Sequence, residues 1–173
     1  MLEALIFVVF PFCMVFAAVS DTLSMTIANR VPLLLLAVFA VAAPLTGMDW
    51  AALGWHFAAG AVVLAATFGL FALGGMGGGD AKLLAATAVW MGFNFQLMEY
   101  LVVSAFVGGL LTVAILAYRG SALAVFTGQN MFLRHFADAK GGIPYGIALG
   151  VGGLVTYPGS PLMIWTLERL ATQ

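Results

Sequence analysis

From residue 4 to residue 20 the chain carries no charged side chain, and apolar runs return at 31–45, 51–73, 81–95, 97–118 and 142–167. A helix that crosses a bilayer needs roughly 20 apolar residues, within a range of about 17–25. Composition makes the same demand. Charged residues are 8% of the chain and hydrophobic ones 64%, whereas an ordinary soluble domain is about 25% charged. So few charges could not cover a soluble surface. The expected fold is therefore all-α: a polytopic membrane protein with about six transmembrane helices, forming one membrane-embedded domain over 1–173. A connection at about 121–138 mixes Phe126, Phe132 and Phe136 with Gln129, Arg134, His135 and Asp138. It reads as an amphipathic segment lying on the membrane rather than spanning it.

The few charges orient the spans. Six crossings put the stretches 21–30, 74–82 and 119–141 on one side, and these hold Arg30, Lys82, Arg119, Arg134 and Lys140. The other side has only Arg169. Basic residues collect on the cytoplasmic side, so these stretches are expected in the cytoplasm and both termini outside. Of the acids, Asp21, Asp80 and Asp138 then face the cytoplasm, while Glu3, Asp49, Glu99 and Glu168 do not. The near-neutral net charge of -1 gives no support for nucleic-acid binding. A single cysteine, Cys13, excludes an intramolecular disulfide. No Lys or Arg precedes Arg30, so the first run lacks the basic region of a cleavable signal peptide and is read as structure.

One stretch breaks the apolar pattern: Gly74-Gly75-Met76-Gly77-Gly78-Gly79-Asp80. Each Gly costs a helix about 1 kcal/mol relative to Ala, and unwound backbone near a membrane needs protein or water as a partner. An acid at such a break is a functional-site hypothesis. The run after it, about 15 residues, reaches only about 22 Å against about 30 Å of hydrocarbon. A helix starting at Asp80 would leave that acid below the membrane surface. Asp21 ends the first run on the same side. Two carboxylates held a few Å apart share a proton, so one can activate water while the other polarises a carbonyl. Bare glycines beside them would let a peptide approach the backbone closely. A second reading stays open: Asp80 caps the fourth helix and Asp21 is an interfacial acid. His56 is expected at the interface rather than as a ligand. His135 and Asp138 are expected on a solvated face, and Gly142, Gly146, Gly150 and Gly153 as a helix-packing stripe.

Three stretches resemble the type IV prepilin peptidases, GxGD-type membrane aspartic proteases. They are Gly77-Gly78-Gly79-Asp80-Ala81-Lys82-Leu83, Asp21 with Asn29-Arg30-Val31, and Gly142-Ile143-Pro144-Tyr145-Gly146. Ala28 stands where many relatives have Pro. The chain resembles the compact form, without the cytoplasmic Cys-containing insert, so N-methylation is not expected. The resemblance implies Asp21 and Asp80 as catalytic residues, with Gly77 and Gly79 shaping the loop and Lys82 in support. It implies no metal and no cofactor. The implied partner is a prepilin or pseudopilin, cut between a short basic leader and its hydrophobic helix at the cytoplasmic face of a prokaryotic inner membrane. Two readings compete with it. One is a small ion-coupled transporter or channel with Asp80 at a broken helix. The other is a non-catalytic assembly factor in which the acids are only caps.

Overall fold

The computed structural model describes residues 1–121, 124 and 142–172. Among these the chain is all-helical, with no strand. The order is α1 (Leu2–Ser24), α2 (Arg30–Leu45), α3 (Trp50–Ala72), α4 (Gly78–Met91), α5 (Phe95–Arg119), α6 (Gly146–Thr156), a 3-10 turn (Tyr157–Gly159) and α7 (Pro161–Ala171). Most of the amphipathic segment expected at 121–138, including His135 and Asp138, lies outside the described residues.

Among the described residues three helices are long and apolar enough to cross a membrane: α1, α3 and α5. The α6–α7 pair makes a fourth if it is one span, bent by 47° at the break. Pro158 and Pro161 explain that break, since neither can donate to a continuing helix. α2 is apolar but only 16 residues long.

The shortness of α4 has a physical reason. Ten of its 14 residues are buried, and a helix apolar all round belongs inside other protein. α3 packs along one side of it and α2 along another, with lighter contacts to α5 and α6. Trp90, fully buried, donates its indole N–H to the Leu35 carbonyl at 3.0 Å, pinning α4 to α2. His56 lies in the core, not at an interface. Its Nδ1–H donates to the Val89 carbonyl at 2.7 Å, tying α3 to the end of α4. Outside this core, α1, α3 and α5 expose Phe12, Phe68, Phe106 and Val113. Exposed apolar surface on this scale marks contact with a membrane or partner, in keeping with a membrane protein.

α6 closes the fold by packing on both α1 and α5. A Cβ on Gly150 would stand 2.9 Å from the Met14 carbonyl oxygen, so this part of the small-residue stripe does serve close helix packing.

Candidate active site

Asp21 lies inside α1, in its last turn, rather than beyond the helix end. The helix stops four residues later at Met25, whose φ of 53° is left-handed and whose N–H donates to the Asp21 carbonyl at 2.8 Å. Hydroxyls stabilise the turn that follows: Ser20 donates to the Thr26 carbonyl at 2.9 Å, and Ser24 to the Ser20 carbonyl at 2.7 Å. The chain thus folds back immediately after presenting the carboxylate.

Asp80 is not the N-cap of its helix. α4 begins at Gly78, so two of the glycines form its first turn and Gly77 is the N-cap. The Asp80 carboxylate folds back over Gly77, close to its N–H, where a Cβ would stand 2.8 Å from Oδ2. An acid at this position favours the start of a helix and offsets part of the intrinsic cost of starting one on glycine. A carboxylate in the first turn also meets the positive end of the helix dipole.

Two contacts hold the turn after Asp21 onto the start of α4. Lys82 Nζ donates to Asn29 Oδ1 at 3.0 Å. A Cβ on Gly79 would stand 3.1 Å from Ile27 Cβ and 3.4 Å from its backbone N and O. Gly79 is therefore glycine because the Asp21 turn lies against it, a constraint separate from the peptide access expected of it.

The two acids are brought together. Both line one cavity of about 990 Å³, and each is near enough for the charge of one to act on the other. Asp21 is buried, 6% exposed, and Asp80 half-buried. Gly74, Gly75, Met76 and Gly77 form part of the wall, with Arg119 and Tyr145 nearby. Leu70, Leu84 and Leu149 make other parts of it apolar.

The sequence places Gly146 in the packing stripe and in the Gly142–Gly146 stretch of the resemblance, but gives it no role beside Asp21. Its N–H donates to Asp21 Oδ2 at 2.7 Å, and a Cβ there would stand 2.7 Å from Asp21 Cβ. Gly146 opens α6, where unsatisfied N–H groups favour an anion. The Pro144 that precedes it was the available signal, since Pro is common where a helix begins. Arg119 Nη2 donates to the Gly142 carbonyl at 2.9 Å and so fixes the approach to α6.

Apolar helices around one buried and one half-buried carboxylate fit a membrane protein with a cavity opening among its helices. The chain belongs to the type IV leader peptidase family, whose model matches residues 8–117. That range includes Asp21, Asn29, the glycine run, Asp80 and Lys82, and ends before Gly146. It makes the protein a leader-peptidase-like protease. Comparison with curated proteins and with solved structures gave no significant match.

Proposed function

We propose that the protein is a membrane aspartic endopeptidase that removes the short basic leader from prepilin-like substrates. The observation that carries the reading is the juxtaposition of Asp21 and Asp80 on one cavity, each within reach of the other's charge. Two carboxylates so placed do not ionise together at ordinary pH, because the second charge is opposed by the first. The ionised one takes a proton from water as it attacks the scissile carbonyl. The protonated one gives its proton to the carbonyl oxygen; the proton taken from water then passes from the first acid to the leaving amine, and the second acid regains its own as the new carboxyl group forms. No metal or cofactor has a part in these steps.

Gly77, lacking a side chain, leaves room for the Asp80 carboxylate to fold back over it, and Gly146 N–H holds Asp21. Fixed hydrogen-bond donors of this kind keep reacting groups aligned without reorganisation. Gly77 and Gly79 shape the acid-bearing turns, and Lys82 supports them through Asn29. In the proposed topology six segments cross or enter the inner membrane, with α4 short because neighbouring helices cover it. The acids face the cytoplasm and both termini lie outside. The substrate's basic leader would remain in the cytoplasm and its apolar helix in the bilayer.

The test is cleavage of a purified prepilin by the protein in nanodiscs, with the product mass fixing the cut site. A cut at the leader–helix junction, lost in Asp21→Asn and Asp80→Asn at normal protein levels, is expected. Full processing by either variant would refute the mechanism.

A further inference from the structure

The helices around α4 do not close on every side. α6 packs along both α1 and α5, α2 along α1 and α4, and α3 along α4. Among the described residues two seams remain: α2 meets α3 only lightly, and α3 and α5 hardly touch. Each seam holds a cavity. The one between α2 and α3, about 420 Å³, has Asn29 and Lys82 on its wall and neither acid. The one between α3 and α5 is the cavity of about 990 Å³ that Asp21 and Asp80 line.

This second cavity runs inward from the acids between two long apolar helices. α3 ends at Ala72, beside the glycine run, so Leu70 is its wall at the acid end and Val63 its wall seven residues further in. At 1.5 Å per residue that is about 10 Å. Leu101 and Ala105 line it from α5, and Leu84 of α4 lines it between them. Two hydroxyl residues on these walls offer it no free donor. Thr67 donates to the Val63 carbonyl of its own helix at 2.8 Å, and the Ser104 hydroxyl is buried against Gly152 of α6. Inward of the acids the cleft therefore presents apolar surface, with the small side chains of Ala66 and Ala105 exposed on its two walls.

Two turns of a helix about 10 Å across fill about 850 Å³ and rise about 11 Å, which matches the cavity in volume and in length. Helices in a bilayer gain nothing hydrophobic by meeting; they associate by close packing, which small residues allow. We infer that the cleft between α3 and α5 is the docking groove for the first two turns of the substrate's apolar helix, which enters it sideways from the bilayer. Ala66 and Ala105 are the contact positions on its two walls. A helix seated there delivers the unwound peptide at its N-terminal end to the acids. The α2–α3 groove has no such continuity, since neither acid lines it. The inference rests on the peptidase reading, in that the occupant is the helix of the same substrate.

Disulfide trapping of a prepilin by the full chain in nanodiscs tests the groove. Ala66→Cys, Ala105→Cys and Ala61→Cys are made singly in a Cys13→Ala, Asp80→Asn background, to hold the substrate uncut. Each is oxidised with prepilins carrying one cysteine at successive positions in the first two turns of the apolar helix. A disulfide bridges only Cα atoms about 4.4–6.8 Å apart. The prepilin should therefore couple to positions 66 and 105 through different faces of its helix, and not to position 61, which lines the α2–α3 groove. In the active chain Ala66→Trp and Ala105→Trp should raise KM about tenfold or more, the scale of overpacking one apolar contact, and Ala61→Trp should not. Coupling at 61 alone, no coupling while the wild-type chain cleaves, or an unchanged KM in both cleft variants would overturn the inference and leave the peptidase reading standing. Disulfides between two copies of the chain at 66 or 105, in place of those to the prepilin, would overturn it too. Coupling at 66 and 105 in a protein whose wild type cleaves nothing would uphold the groove and refute the two-aspartate reading. Neither coupling nor cleavage would sink both.

Discussion

Gly146→Ala should disable the site through a single added methyl group. The new Cβ would stand 2.7 Å from Asp21 Cβ and 2.9 Å from Asp21 Oδ2. Carbon atoms rest about 3.5–4.0 Å apart, so the carboxylate or the start of α6 must give by about 1 Å. Overpacking of this kind costs about 1–3 kcal/mol of stability. The larger effect is on chemistry, because a 1 Å misplacement of a reacting group can cost about 100-fold in rate. The 2.7 Å hydrogen bond that aligns Asp21 would be strained at the same time. Gly150→Ala is the control. It crowds the same interface, with its Cβ 2.9 Å from the Met14 carbonyl oxygen and 3.1 Å from Ala18 Cβ. It should destabilise by a similar 1–3 kcal/mol or so and keep most of its cleavage rate per folded molecule. Gly109→Ala, with nothing within 4 Å, should change neither. The assay is prepilin cleavage per folded protein, with stability from thermal unfolding in detergent. A wild-type rate in Gly146→Ala, or an equal loss in Gly150→Ala, would refute the alignment role of Gly146.

Other outcomes follow from the same geometry. Gly79→Val should impair cleavage more than Lys82→Met, because its bulk drives Ile27 and the Asp21 turn off α4. Lys82→Met loses only one exposed hydrogen bond to Asn29, about 0.5–1.5 kcal/mol. Both are read as prepilin size shift against protein level, and the reverse order would contradict the clamp. Trp90→Phe removes the indole N–H that the Leu35 carbonyl accepts in addition to its helical bond, so thermal unfolding should show a loss of about 0.5–1.5 kcal/mol with the cut site unchanged. Cleavage should persist in strong chelators; loss restored by zinc would count against the mechanism.

The helical class and the short fourth helix were legible from the apolar runs, because the hydrophobic length is written directly in the residues. Helix ends were not. Asp21 was placed after the first run, but α1 continues through it to Ser24, since Asp and Ser are tolerated in a last turn whose backbone is already hydrogen-bonded. The glycine run read as a complete break. Gly78 and Gly79 instead form the first turn of α4, where the acid at Asp80 meets the positive end of the helix dipole and offsets part of their low propensity. His56 looked interfacial because one histidine in an apolar run has no visible partner. Its partner is a backbone carbonyl of Val89, 33 residues away, which no local pattern encodes. Gly146 was hidden for the same reason: it is 125 residues from the acid it serves. The GxGD stretch and Asp21 are visible in the sequence because the pairing needs only two acids on one side. Their actual approach depends on Ile27, Asn29 and Lys82, whose contacts are tertiary.

The central claim is that Asp21 and Asp80 act as one unit on one water. The most direct measurement compares cleavage rates of Asp21→Asn, Asp80→Asn and the double variant as purified protein, each normalised to folded molecules. Residues that work as a unit lose nearly everything when either is removed. The two single variants and the double should therefore fall to the same background rate. Substantial cleavage by either single variant, or a double variant far slower than both, would contradict the account.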